Sequence, residues 1–183
     1  DTIFIVGANP METQTNLYLN HMVKGLQNGA KMVVIDPRRT LTVASSEQYA
    51  GAENVLHLAI KEGTDVAALN TILTEIVDQG WIDRDFIAAS TYQDGVAVPQ
   101  DEAHPASLGS LDHAMQACRM SLEEGAAICG VPAEDLARAA EWIAKPHDDG
   151  SRRKCTLAYE KGIIWGNDNY RAVGGMVNIA LAT

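Results

Sequence analysis

The sequence predicts an α/β fold, a Rossmann-like parallel sheet flanked by helices, with a helical second half. Two observations carry that expectation. The runs Ile3-Phe4-Ile5-Val6, Met32-Val33-Val34-Ile35 and Val55-Leu56-His57-Leu58 are short, apolar and β-branched, with little alternation, as in strands covered on both faces. Between and after them, apolar residues recur at helical spacing, so strands and helices alternate along the first half.

Taken in order, the first run leads into a turn at Gly7-Ala8-Asn9-Pro10. Over residues 12–27, Leu19, Met22, Val23 and Leu26 fall at i, i+3, i+4 and i+7, the stripe of one helix, and Asn28-Gly29 is a stop. The second strand follows, which completes a βαβ unit with an expected right-handed crossover. Residues 40–48 read as a polar connection to the third strand. Gly63-Thr64-Asp65 then opens a helix with Val66, Leu69, Ile72, Leu73, Ile76 and Val77 inward, closed by Gly80. A short helix begins at Asp83, and residues 92–110, with two Pro and two Gly, read as a surface insertion.

Further helices are expected over 111–120, 122–129 and from Pro132 to Ala144, and 146–153 is a loop. Thr156 to Tyr159 reads as a last strand that runs out into a glycine-containing turn at 162–166. Asp168 or Asn169 is the expected cap of a terminal helix over 170–182. The chain therefore divides into a βαβ nucleotide-binding half over 1–80, the insertion over 92–110, and a helical part over 111–183 that carries the last strand and its loop.

The charge balance of 14 Lys plus Arg against 24 Asp plus Glu, a net −10, argues against non-specific binding to nucleic acid or anionic membranes. A phosphate ligand would have to be held locally, by backbone amides and a few placed cations. No run approaches the roughly 20 apolar residues that cross a bilayer. Both ends fall within patterned segments, as expected of a piece of a longer polypeptide. Cys118, Cys129 and Cys155, with ten and then twenty-five residues between them, match no zinc or iron–sulfur spacing, and they read as buried free thiols. The five histidines form no paired metal spacing, so no metal ligand is assigned.

Four segments stand where chemistry is expected, each at a strand end. Gly7 to Gln14 joins a strand to a helix start, where free N–H groups hold anions. Yet Asn9 and Glu12 occupy the second and third glycine positions of a dinucleotide fingerprint, so a plain turn explains it equally well. Asp36-Pro37-Arg38-Arg39-Thr40 places a carboxylate and two guanidinium groups at the end of the second strand. Asp36 there suits ribose hydroxyls or the N–H edge of guanine, and a solvated turn is the alternative. Gly63-Thr64-Asp65 suits a ligand or a simple helix cap. Lys161 to Asn169, with Gly162, Trp165 and Asn167, suits stacking on a flat heterocycle or ordinary packing. In a parallel sheet all four open on the carboxyl edge, and that convergence is stronger than any one segment. No nucleophile and base pair stands out, so no catalytic residue is assigned.

The ordered set Gly7-Ala8-Asn9-Pro10-Met11-Glu12-Thr13, Ile35-Asp36-Pro37-Arg38-Arg39-Thr40 and Glu62-Gly63-Thr64-Asp65, with Gly130-Val131-Pro132-Ala133-Glu134-Asp135-Leu136 further on, resembles the molybdopterin oxidoreductase family. Within that family, Tyr159 to Arg171 is similar to the arsenite oxidase catalytic subunits rather than to nitrate reductases or formate dehydrogenases. The resemblance implies a molybdenum bis(molybdopterin guanine dinucleotide) cofactor. Gly7, Asn9, Glu12 and Thr13 would line its nucleotide end, Asp36 and Arg38 would recognise guanosine, and Gly63, Thr64 and Asp65 would bound the same pocket. Lys161, Gly162, Trp165 and Asn167 would lie near a pterin. It further implies an iron–sulfur cluster bound outside this segment, arsenite as substrate, a Rieske-type small subunit, a cytochrome or copper-protein electron acceptor, and a periplasmic location. Rival readings are another molybdopterin oxidoreductase, a nicotinamide dehydrogenase, disfavoured by the missing glycines, and a non-catalytic nucleotide-binding module.

Overall fold

A computed structural model describes residues 1–91 and 110–183. Strands β1 (Thr2–Val6), β2 (Lys31–Ile35), β3 (Val55–Leu58) and β4 (Cys155–Tyr159) form one sheet in the order β3-β2-β1-β4, and every pairing is parallel. Val6 lies opposite Ile35 on one side and Tyr159 on the other, so the strands end almost level.

The continuous apolar runs cover both faces because successive side chains point to opposite sides. Phe4, Val6, Val33, Ile35, Leu56 and Leu58 pack on one face with α5 (Asp65–Asp78), α9 (Ala133–Ala144) and α11 (Asn169–Ala182). Ile3, Ile5, Met32, Val34 and Val55 pack on the other, against the β1–β2 crossover and α4 (Leu41–Ala50). The sheet is thus enclosed between helical layers, as expected of the fold class. Edge strand β4 is only partly covered, and Tyr159 is exposed. Among the described residues no helix is long and apolar enough to cross a membrane.

Several elements differ from the sequence reading. The β1–β2 crossover is α1 (Pro10–Thr13), α2 (Thr15–Leu17), a π-helical stretch Tyr18–Met22 and α3 (Val23–Gln27). The wider π turn shifts the inward stripe by one residue, so Tyr18 is fully buried and Leu19, expected inside, is 41% exposed. The Tyr18 hydroxyl is satisfied by Ser46 at 2.9 Å. Residues 41–50, read as a polar connection, are helix α4, whose buried side presents Thr42, Val43 and Ser46, so no apolar period marks it. After β4 the chain makes a short helix, α10 (Lys161–Ile164), instead of an open turn, and it buries Ile163 against the sheet layer.

Short helix α6 (Arg84–Ser90) is capped by Asp83, as expected. Helix α7 (Leu111–Cys118) ends earlier than expected, and α8 (Leu122–Cys129) carries a capping box between Ser121 and Glu124. Asp168 occupies the cap position of α11 without a side-chain cap bond. Apart from Ser110, the expected 92–110 insertion lies outside the described residues. Of the three thiols only Cys129 is buried; Cys118 and Cys155 are partly covered. Burial raises all three above the usual thiol range, Cys155 to about 12.

Candidate cofactor site

All four segments singled out in the sequence stand at the carboxyl edge, because every strand runs the same way. The connection from β1 goes to β2 on one side, whereas the chain returns to β4 on the other, so β1 and β4 flank a topological switch point. Open α/β sheets form their ligand crevice at such a point. From the end of β3 to the end of β4 is three strand spacings, about 14 Å, the span of an extended nucleotide-sized molecule.

At the switch point two glycines meet. Gly7 has φ +59°, and Gly162 N–H donates to Gly7 O at 2.9 Å. A Cβ on Gly162 would lie 2.6 Å from Gly7 Cα, and one on Gly7 would lie 2.9 Å from Ile163 N. Their small size therefore serves the approach of one loop to the other. Thr13 ties the same loops, since its hydroxyl lies 3.1 Å from Glu160 Oε2.

Asn9 is half-buried and held by its neighbours. Its Oδ1 accepts from the Thr42 hydroxyl at 2.8 Å and from Thr42 N–H at 3.3 Å, and its Nδ2 donates to Glu12. Thr42 in turn accepts from Met11 N–H at 3.0 Å. The β1 loop and the start of α4 are thereby one connected unit.

Asp36 is 6% exposed at the end of β2. Its Oδ1 accepts from Arg38 N–H at 2.8 Å, the Arg38 side chain stands near the same oxygen, and Oδ2 has no partner among the described residues. His57 on β3 anchors the backbone here, with Nε2 2.8 Å from Asp36 O. Thr64 sits at the cap position of α5, but its hydroxyl donates to Lys61 O at 2.6 Å. Asp65, the first residue of α5, has its carboxyl raised above the ordinary range by burial, opposed by a backbone N–H and reinforced by the nearby Asp36 charge. A carboxylate at the end of β2 and one at the start of α5 thus form an acceptor-rich corner, and Gly63, two residues before Asp65, has φ +81° and open space around it.

At the end of β4, Lys161 Nζ lies 5.4 Å from the centre of the Trp165 ring, and that ring is 77% exposed. Asn167 is exposed in the turn between α10 and α11. An exposed indole beside an ammonium group suits a flat, anionic ligand. The sequence reading did not single out Thr42, His57 or Glu160, which hold the loops together. Their signal is weak because a lone Thr, His or Glu at a strand end has many ordinary uses. Among the described residues no group of three or more His, Cys, Asp or Glu is placed to hold a metal ion.

The molybdopterin oxidoreductase family model matches residues 1–176. The chain is similar to arsenite oxidase subunit AioA of Herminiimonas arsenicoxydans, 38% identical across 100% of this chain and 22% of that protein. It is 30% identical to iodate reductase subunit IdrA of Denitromonas iodatirespirans, across 99% of this chain and 21% of that one. A formate dehydrogenase and a nitrate reductase are among the further matches. Acetylene hydratase from Pelobacter acetylenicus shares the fold, with a TM-score of 0.72 at 18% identity over 99% of this chain and 21% of that one. The chain spans about a fifth of the length of these relatives.

Proposed function

Because this chain belongs to the molybdopterin oxidoreductase family, we propose that it is the segment of an arsenite oxidase catalytic subunit that holds a bis(molybdopterin guanine dinucleotide) cofactor. The observation that carries the cofactor reading is Asp36, a largely buried carboxylate at the crevice edge with one oxygen tied to its own loop and the other without a partner among the described residues. An acceptor of that kind fits the N1–H and N2–H donors of guanine, which lose water on entering the pocket and need a partner there. Arg38, whose side chain is 80% exposed and stands 3.7 Å from Asp36 Oδ1, can offer its outer N–H groups to phosphate oxygens. Gly63, Thr64 and Asp65 bound the guanosine end. Gly7, Asn9, Glu12, Thr13 and Gly162 shape the crevice, Lys161 and Trp165 offer charge and a stacking face to a pterin, and Asn167 stands beside them.

When bound, that group would supply the redox chemistry by which arsenite and water yield arsenate, two protons and two electrons. The chain's own part is to bind, orient and electrically tune that group. On this reading the electrons would pass to an iron–sulfur cluster held elsewhere in the full-length protein, to a Rieske-type small subunit and to a cytochrome or copper protein in the periplasm. Arsenite is preferred over other substrates because identity to the arsenite oxidase subunit, 38% over the whole chain, exceeds the 30% to iodate reductase. The test is dye-linked turnover of the purified full-length protein with arsenite or formate as donor and with iodate or nitrate as acceptor. Turnover with arsenite alone is expected; turnover with formate, iodate or nitrate in its place would keep the pocket and replace the substrate.

A further inference from the structure

We propose that Thr40 is a positioning residue for the cofactor pocket, a spare cap for α4 that takes over Thr42 N–H when Asn9 turns its carboxamide to a ligand. This rests on the cofactor reading above. Thr40 stands at the cap position of α4 with an extended backbone, φ −71° and ψ 169°, and makes no side-chain cap bond. A threonine so placed normally accepts from the N–H two or three residues on. Thr40 is only 7% exposed, and its Oγ1 is the buried side-chain polar atom without a partner among the described residues.

One of the two N–H groups within its reach is already taken. Thr42 N–H, a natural target for Thr40, is taken by Asn9 Oδ1 at 3.3 Å, and the Thr42 hydroxyl donates to the same oxygen at 2.8 Å. Capping is thus supplied by a loop 33 residues away. A buried hydroxyl without a partner is costly, and Val would fill the same volume without that cost. The hydroxyl is useful if the cap changes hands. Asn9 lies at the carboxyl end of β1 beside the switch point. When its carboxamide engages a ligand, Thr42 N–H loses its acceptor, and the Thr40 hydroxyl replaces it. The pocket then recruits Asn9 without leaving a helix N–H bare.

The exchange is tested in the full-length protein prepared without cofactor, by a double-mutant cycle on Asn9→Ala and Thr40→Val read by denaturant unfolding. Thr40→Val alone is expected to cost nothing, and Asn9→Ala alone to cost only its bonds to the Thr42 hydroxyl and Glu12, since Thr40 takes over the Thr42 N–H. Together they are expected to lower the folding equilibrium constant about fivefold to tenfold beyond the sum, the worth of one buried hydrogen bond. Thr40→Ser in the Asn9→Ala background should rescue it. Additive costs, or a loss from Thr40→Val alone, would overturn the exchange. Titration with guanosine diphosphate gives a second readout: Thr40→Val should weaken binding about fivefold to tenfold and Thr40→Ser should not, whereas equal affinities would overturn it. An additive cycle in a protein whose holoenzyme releases guanine sinks the exchange and leaves the cofactor reading standing; a guanine-free holoenzyme sinks both.

Discussion

Asp65 carries its charge against its surroundings, since burial raises its carboxyl above the ordinary 3.8 and the Asp36 charge adds to that. A raised folded-state value means that the folded form binds this proton more tightly than the unfolded chain does. The contribution is therefore fully present below about pH 3.8 and is lost as pH rises through the folded value. Asp65→Asn, which cannot ionise, should make the full-length protein more resistant to heat at pH 7, with the gain shrinking towards acid pH. A gain independent of pH, or a loss at pH 7, would show that Asp65 is not under this strain. Retaining the acid at such a site is what a ligand-binding role requires.

At the scale of elements, the crossover after β1 shows how one turn of helix alters which residues are core. Tyr18 is fully buried and bonded to Ser46 at 2.9 Å, whereas Leu19 faces outward. Tyr18→Phe should cost about 1–3 kcal/mol by leaving the Ser46 hydroxyl unpaired. Leu19→Lys should change stability by no more than about 0.5 kcal/mol. Denaturant midpoints decide it, and the reverse order would restore the unbroken α-helical stripe. The β1 and β4 loops make a second element-scale case. Gly162→Ala forces a methyl to within 2.6 Å of Gly7 Cα, so a loss of about 1–3 kcal/mol or more is expected. Gly174→Ala, in the middle of α11 with open space around it, should instead stabilise by about 0.5–1 kcal/mol.

Across the whole molecule, the parallel sheet delivers the strand ends to a single edge, so on the proposed reading they act on one bound group. Substitutions at opposite ends of that edge should then lower the same quantity. Asp36→Ala and Lys161→Ala should each reduce guanine and molybdenum in the purified full-length protein in parallel, with the larger loss at Asp36. A buried charged acceptor is worth about 1.5–3 kcal/mol, or about tenfold to a hundredfold in retention, and an exposed ammonium less. Unchanged guanine and molybdenum in Asp36→Ala would remove Asp36 from the pocket. With a net charge of −10 the overall field does not attract an anion, so on the proposed reading cofactor capture falls to these local groups.

By itself the sequence determined the strand positions, the order of the main helices and the carboxyl-edge placement of the four segments. These follow from local composition and from the rule that strands joined by crossover helices run parallel. It did not reveal α4, the π turn at Tyr18 or the short helix after β4, because their inward positions are set by hydroxyl pairs and backbone fits that leave no apolar period. The candidate site divides in the same way. Asp36 was legible as a carboxylate at a strand end and Asp65 as one at a helix start, but the effect of the Asp36 charge on Asp65 required adjacent strands to bring them together. The meeting of Gly7 with Gly162, and the Asn9–Thr42 bond that leaves Thr40 unpaired, join residues far apart in the chain. Contacts of that kind depend on how loops from different strands pack against one another, and only the tertiary structure decides that.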